Sequence, residues 1–275
     1  MDIIQGEQIV KLSSDTQIDL LVQGSGKPVM WLHSGFRGRI GLGNLISTVE
    51  RKLNQADIHW RNIIPNLPGF GESTSTSSQN NNPYELTENI EELVTLLDYP
   101  SIDIIGFSLG ANVASILVNR IPDRIRRVVL LGTAVEGRSL DVYRKLLELY
   151  DREDWEGIVN KIALSLVGRK NRRQYLKMMP LVKKQVASER FAIDLTRILS
   201  SGVRLDIFSE LEKIPHPTLM ISGEDDPFRP TPKRLEVLQK KENIKLILLE
   251  GIGHNEMVFP RQIDLSDQIL EFLED

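Results

Sequence analysis

Short apolar segments and longer amphipathic segments alternate along this chain. Eight short segments rich in apolar and β-branched residues are predicted to be strands: Gln8–Leu12, Thr16–Val22, Val29–His33, Trp60–Ile64, Ile102–Gly106, Arg127–Leu131, Thr218–Ser222 and Lys245–Leu249. Continuously apolar Val128–Leu131 and Leu246–Leu249 are typical of strands buried on both faces, whereas half-polar Thr16–Val22 is expected near an antiparallel edge. The alternation predicts βαβ units and a mostly parallel sheet.

Helix signals separate these strands. Apolar residues recur at helical spacing in Leu86–Leu97, with Thr87 as the predicted N-cap. A second helix is predicted over Asn112–Arg120, ending before Pro122 because the ring of proline disfavours helical backbone in the residue before it. The polar, repetitive stretch Ser73–Asn82 is predicted to be a mobile surface loop.

Residues 137–211 differ from the rest of the chain, because their pattern is helical and contains few strand signals. We therefore predict a core domain formed by residues 1–136 and 212–275, with 137–211 inserted as a helical cap after the sixth strand. Within the insertion, Arg169–Lys184 carries seven basic residues and no acidic one. This charge run is interpreted as a solvated helix face, or alternatively as a surface that steers an anionic substrate or acyl carrier toward the site.

Composition narrows the class of protein. The chain has 275 residues, 41% hydrophobic and 26% charged, which is enough for one large domain with an insertion. The absence of cysteine excludes disulfides, thiolate metal sites and a cysteine nucleophile. A net charge of −4 argues against nucleic acid as the main partner. With neither a signal-peptide pattern nor an apolar run of roughly 20 residues, we expect a cytoplasmic protein without a membrane span.

The motif Gly106-Phe-Ser-Leu-Gly110 places Ser108 between the apolar strand Ile102–Gly106 and a helix. A Gly-x-Ser-x-Gly pattern alone is weak, but strand–turn–helix is the setting that a nucleophile elbow requires. The strained turn projects the serine Oγ above the sheet edge, and the close approach of strand and helix requires small residues two positions before and after it. Ser108 is therefore the candidate nucleophile, rather than a residue that merely caps the helix.

On these residues, the chain resembles the α/β-hydrolase superfamily, in its branch of serine esterases, haloperoxidase-like enzymes and carbon–carbon-bond hydrolases. The stretch Pro65-Asn-Leu-Pro-Gly-Phe-Gly-Glu-Ser73 is similar to that family's signature after the fourth strand. The family usually has Asp where this chain has Asn66, a departure we interpret as structural. The resemblance implies the α/β-hydrolase fold: a mostly parallel eight-stranded sheet flanked by helices, with a helical cap after strand six. It implies a small-molecule substrate and neither a metal nor an organic cofactor.

A serine hydroxyl needs a general base, and the chain offers four histidines. His59 and His216 precede strands, so they are expected at the end of the sheet opposite the elbow. His33 ends a strand at the same edge as Ser108 but belongs to the loop that is predicted to help stabilise the oxyanion. His254 follows the strand Lys245–Leu249, at the carboxyl edge where open α/β sheets bind ligands. His254 is the predicted base.

A carboxylate must orient the imidazole and stabilise its charged form. Glu224, Asp225 and Asp226 follow the seventh strand, and spacing alone cannot separate Asp226 from Asp225. The family resemblance favours Asp226, the fourth position of a Gly-x-x-Asp pattern. Asp225 ranks second, and Glu136, after the sixth strand, ranks third. Ser108, Asp226 and His254 follow the Ser…Asp…His order of this fold.

Two backbone N–H groups are needed to stabilise an oxyanion. Leu109, directly after the nucleophile, is the first candidate. The resemblance places the second in the loop after the third strand, where the family usually reads His-Gly-x and this chain has Ser34 in place of that glycine. Aligned without a gap, Gly35 donates; with a shift of one residue, Phe36 does.

The expected function is that of a serine hydrolase acting on a small-molecule carboxylic ester or thioester through an acyl-enzyme. Three alternatives remain: a carbon–carbon-bond hydrolase, an acyltransferase of the same fold, and a catalytically idle relative that binds a small molecule. Fold analogy does not choose among them. The sequence does not indicate the substrate or the oligomeric state.

Overall fold

The computed structural model describes residues 5–35, 38–74, 82–134, 138–168, 171, 177, 180, 206–258 and 263–275. The strands within these ranges are β1 (Gly6–Lys11), β2 (Gln17–Gly24), β3 (Lys27–Leu32), β4 (Trp60–Pro65), β5 (Ile102–Phe107), β6 (Ile125–Leu131), β7 (Thr218–Gly223) and β8 (Ile244–Leu249). The α-helices described are α1 (Gly43–Gln55), α2 (Pro83–Leu97), α3 (Leu109–Arg120), α4 (Arg138–Asp151), α5 (Trp155–Leu166), α6 (Phe208–Lys213), α7 (Pro232–Gln239) and α8 (Ser266–Glu274). None of these described helices is both long enough and apolar enough to cross a membrane.

The strands form one mixed sheet in the order β1-β2-β4-β3-β5-β6-β7-β8. β2 pairs antiparallel with both β1 and β4, and the pairings from β4 through β3 to β8 are parallel. The eight predicted strands and the mostly parallel sheet are confirmed, as is the antiparallel setting of β2. Since β3 to β8 run in parallel, their carboxyl ends meet at one edge, which is where the candidate chemistry lies.

Side chains alternate between two apolar layers on the two faces of the sheet. Val128 and Leu130 of β6 belong to the layer that contains α2, α3 and α6, while Val129 and Leu131 belong to the layer that contains α1 and α8. The prediction that β6 is buried on both faces is therefore confirmed. The same prediction for β8 is wrong: Leu248 is 39% exposed, because β8 is the last strand of the sheet and has a neighbour on one side only.

Two predicted helix starts are also wrong. α2 begins at Pro83 and is capped by Asn82, whose Oδ1 accepts the N–H groups of Tyr84 and Glu85 at 2.9 and 3.0 Å. Proline suits the first helical position because its missing N–H would have no partner there. Thr87 lies inside the helix, buried, with its hydroxyl donating to Pro83 O. α3 begins at Leu109, three residues before the predicted start.

Between β6 and β7 the secondary-structure elements of the described residues are helices. α4 and α5 lie in this region, and Asp154 caps α5 by accepting the Gly157 N–H at 2.8 Å. Near the end of the predicted insertion, Ile207 and Leu211 pack into the core layer of α2 and α3. The division into a core and a cap of residues 137–211 stays a prediction. Most of the basic run at 169–184, and of the polar stretch at 73–82, lies outside the described residues.

Candidate active site

Ser108 occupies the sharp turn between β5 and α3. Its backbone has φ 55° and ψ −115°, a conformation that L-residues rarely adopt, so the predicted strain is confirmed. A Cβ at Gly106 would overlap Gly110 O, and a Cβ at Gly110 would overlap Leu32 O. The two glycines of the motif are therefore required by the close approach of β5, α3 and the end of β3.

The structure brings His254 and Asp226 to this serine. His254 Nε2 lies 2.9 Å from Ser108 Oγ, and His254 Nδ1 lies 2.7 Å from Asp226 Oδ2. A carboxylate can only accept, so Nδ1 carries the hydrogen and Nε2 is left to accept from the serine hydroxyl. Asp226 is itself fixed by the Phe228 N–H, which donates to its Oδ1 at 2.8 Å. His254 and Asp226 are 3% and 2% exposed, so their hydrogen bonds are shielded from water.

Aromatic rings hold the imidazole on two sides. Phe107 stacks on His254 with ring centroids 5.1 Å apart, and Phe228 meets it edge to face at 4.7 Å. Gly132, at the end of β6, leaves room for the imidazole, since a Cβ there would lie 3.0 Å from His254 Cε1. The sequence pattern indicates no role for these aromatic residues, although Phe107 lies inside the nucleophile motif and Phe228 lies two positions after Asp226.

Among the described residues, the alternatives to Asp226 and His254 make other contacts or lie at the other end of the sheet. The N–H of Asp225 donates to Ile252 O at 3.0 Å, while the carboxylate of its neighbour Asp226 meets the imidazole. Glu136 lies outside the described residues. His59 is at the amino end of β4 with 64% of its side chain exposed, and His216 precedes β7. Both histidines therefore lie, as predicted, at the end of the sheet opposite Ser108.

His33 is a buried, neutral part of the loop after β3. Its Nε2 accepts the Leu67 N–H at 2.8 Å, and its Nδ1 lies 2.6 Å from Ser34 O. Burial lowers the pKa of His33 to about 4; the hydrogen bond to Ser34 opposes this shift, and the nearby Arg39 charge adds to it. The imidazole therefore supports the loop in its neutral form.

This burial predicts a pH-dependent loss of stability. Because the folded pKa of about 4 lies below the ordinary value of 6.5, the unfolded chain binds the proton first as the pH falls. Neutral His33 makes its full contribution to stability above pH 6.5 and loses it as the pH falls from 6.5 to 4. This loss lowers the free energy of unfolding by about 3 kcal/mol. Urea unfolding of the wild type and of His33→Gln across this range should give a flatter dependence for the variant. His59→Gln, at an exposed site, is the matched control and should keep the wild-type slope; equal slopes for all three proteins would contradict the assignment.

The candidate oxyanion donors lie at the start of α3 and in the loop after β3. Leu109 is the first residue of α3, where backbone N–H groups have no acceptor within the helix. Gly35 lies in the buried loop after β3, which the α3 start approaches because Gly110 has no side chain. Phe36 lies outside the described residues. The pairing of Leu109 with Gly35 stays a prediction.

Asn66 is part of a buried polar network beneath this loop. Its Nδ2 donates to Asp19 Oδ2 at 2.7 Å, and its Oδ1 accepts the Arg39 N–H at 2.8 Å. Burial raises the pKa of Asp19, but hydrogen bonds from Arg39, Asn66 and the Glu72 N–H outweigh it and hold this pKa below its usual value. An aspartate at position 66 would place a second carboxylate against Asp19, so the amide fits this network and an acid would not.

Comparisons with known proteins agree with this fold. The family model described as the alpha/beta hydrolase fold matches residues 28–259. The chain is 23% identical over 262 residues to the 2-hydroxy-6-oxo-6-phenylhexa-2,4-dienoate hydrolase of Comamonas testosteroni, covering 90% of this chain and 89% of that protein. It is 24% identical over 268 residues to the pimeloyl-[acyl-carrier protein] methyl ester esterase of Nitrosospira multiformis, covering 86% and 92%.

A solved alpha/beta hydrolase enzyme from a Medee basin deep-sea metagenome library superposes with a TM-score of 0.80, at 18% identity over 98% of both chains. At this identity the likeness shows the fold. The family match spans most of the chain and includes the three parts that meet at the sheet edge. These are Ser108, the loop after β7 that carries Asp226 (the carboxylate loop) and the loop after β8 that carries His254 (the histidine loop). The chain therefore belongs to the alpha/beta hydrolase family.

Proposed function

We propose that this protein is a serine hydrolase that cleaves a small-molecule carboxylic ester or thioester. The observation that carries the proposal is the pair of hydrogen bonds on one buried imidazole, 2.9 Å to Ser108 Oγ and 2.7 Å to Asp226 Oδ2. A serine hydroxyl is a weak nucleophile until a positioned base removes its proton. The two hydrogen bonds of His254 support this assignment of nucleophile, base and orienting carboxylate.

In the first half of the reaction, Ser108 Oγ attacks the substrate carbonyl carbon while its proton passes to His254 Nε2. The resulting imidazolium is stabilised by Asp226, and the oxyanion by the N–H groups of Leu109 and Gly35. His254 then gives the proton to the departing alcohol or thiol, whose bond to the carbonyl carbon breaks. Ser108 is left as an acyl ester.

In the second half, His254 removes a proton from water, and the hydroxide oxygen attacks the acyl carbon. The bond between the acyl carbon and Ser108 Oγ then breaks. Ser108 Oγ takes the proton back from His254, and the carboxylic acid leaves. Phe107 and Phe228 flank the imidazole in both halves, which limits its exchange with bulk water. An enzyme with this reaction is a carboxylesterase, and that is the class we propose for this protein.

Carbon–carbon-bond hydrolysis is the second candidate, because several relatives are named as hydrolases of 2-hydroxy-6-oxo dienoates. Such a molecule carries a ketone carbon that a serine can attack as it attacks an ester. Acyl p-nitrophenyl esters of graded chain length, assayed beside a 2-hydroxy-6-oxo dienoate, discriminate the two functions. A kcat/KM for the dienoate well above that for every ester would replace the ester proposal by this candidate.

A fluorophosphonate probe tests the proposal most directly. The folded wild type should be labelled on one serine, and Ser108→Ala should abolish the labelling because the nucleophile is gone. Ser115→Ala is the matched control: this serine lies on the same helix, buried, with its hydroxyl donating to Ala111 O, and its variant should label like the wild type. A folded wild type that takes no label would overturn the proposal in favour of an idle, ligand-binding relative.

A further inference from the structure

Glu256 is a buried carboxylate that joins two distant parts of the chain. It lies two residues after His254, in the 3-10 turn Asn255–Val258, and only 1% of it is exposed. Its Oε2 accepts the N–H groups of Gly168, at 2.8 Å, and of Gly253. Its Oε1 accepts from the Asn171 side chain. Two of these donors belong to the insertion between β6 and β7, up to 88 residues away, and the third belongs to the histidine loop.

The backbones that Glu256 joins are in direct contact. A Cβ at Gly253 would lie 2.5 Å from Gly168 N, and a Cβ at Gly168 would overlap Gly251 O. On its other side the histidine loop is held by the carboxylate loop, because the Asp225 N–H donates to Ile252 O. The loop that carries His254 therefore has two supports, and the one toward the insertion depends on Glu256.

A buried carboxylate is costly unless its oxygens are satisfied, and here the donors that satisfy it fix the position of Gly253, the residue before His254. Catalysis by His254 needs its Nε2 within hydrogen-bond reach of Ser108 Oγ. A displacement of about 1 Å in such a group can lower a rate about 100-fold. Loosening the support toward the insertion therefore reaches the reacting atoms through a single peptide unit.

We propose that Glu256 is a positioning residue. It binds the histidine loop to Gly168 and Asn171 of the insertion and so keeps His254 Nε2 within hydrogen-bond distance of Ser108 Oγ. The inference rests on the proposed function. It adds that the orientation of the base depends on the insertion as well as on Asp226.

The test compares Glu256→Leu, Glu256→Gln and Asn171→Ala with the wild type, using a p-nitrophenyl ester. Each kcat is divided by the fraction of protein that fluorophosphonate labels at completion. The resulting kcat per labelled site excludes molecules that are unfolded. Glu256→Leu should lower kcat per labelled site about 100-fold, with KM changed less than about threefold, because orientation and not substrate binding is lost. Glu256→Gln should restore most of the rate, since its amide oxygen can still accept both N–H groups while Asn171 offers its own oxygen to the new NH2.

Asp103→Asn is the matched control for a buried carboxylate that serves stability only. Asp103 lies near the opposite end of β5 from the elbow and pairs with Arg126 and Lys27. This variant should lower Tm and leave kcat per labelled site unchanged. If Glu256→Leu also lowers only Tm, or if Glu256→Gln and Glu256→Leu reduce the rate equally, the positioning role is overturned.

Asn171→Ala provides the answer if Glu256→Leu fails to fold, because it removes only the side-chain donor of the insertion. It should reduce kcat per labelled site by at least about threefold, and an unchanged rate would overturn the inference. If the folded wild type takes no label, the proposed function itself fails, and this inference falls with it. Normal labelling with unchanged rates in all variants overturns the role of Glu256 alone.

Discussion

Replacing His254 with alanine is expected to lower kcat for ester hydrolysis by about 10⁶-fold. Without the imidazole, nothing accepts the Ser108 proton during attack, and nothing returns a proton to the leaving group. The 2.9 Å contact between Nε2 and Oγ puts His254 within hydrogen-bond reach of the proton that it must remove. Steady-state hydrolysis of the best p-nitrophenyl ester, at saturating substrate and corrected for the rate without protein, measures the loss.

The matched control for this prediction is His59→Ala, since His59 has 64% of its side chain exposed and lies at the amino end of β4. Its kcat should equal that of the wild type. A His254→Ala rate within about tenfold of wild type, in protein that unfolds at the wild-type urea midpoint, would mean that another group acts as the base. In that case, adding Ser108→Ala should still remove this activity if the serine is the nucleophile.

Much of the fold and of the site is predictable from the sequence because both depend on local signals. β5 and β6 are short apolar segments bounded by turn residues, so their positions follow from pattern alone. The topology of a parallel sheet then brings the residue after β5 and the loop after β8 to one edge. With only four histidines in the chain, that geometry was enough to select His254.

The errors and gaps arise where long-range packing decides. The apolar pattern of β8 is the same as that of a central strand, and only the strand order reveals that it lies at the sheet edge. The identity of the residue that caps α2 depends on where the preceding loop enters the helix, which the apolar repeat does not specify. Glu256 lies beside His254 in sequence, but its partners Gly168 and Asn171 are more than eighty residues away. No local pattern could indicate that pairing.

Asp226→Asn is expected to lower kcat about 10⁴-fold while leaving the fold intact. The Phe228 N–H donates to Oδ1 of residue 226, so an asparagine keeps its oxygen there and turns its NH2 toward His254 Nδ1. The imidazole must then accept at Nδ1 and carry its hydrogen on Nε2, which is the wrong tautomer to receive the Ser108 proton. The loss should fall on kcat rather than KM, and steady-state kinetics with a p-nitrophenyl ester separates the two.

Asp225→Asn is the control that decides between the two neighbouring carboxylates. Its N–H donates to Ile252 O, a contact that the substitution keeps, so kcat should stay within about threefold of wild type. A large loss in Asp225→Asn together with a small one in Asp226→Asn would transfer the orienting role to Asp225. The sequence alone leaves these residues equivalent in spacing. The 2.7 Å contact of His254 Nδ1 with Asp226, and the bond that fixes the other oxygen of Asp226, make the expected outcome asymmetric.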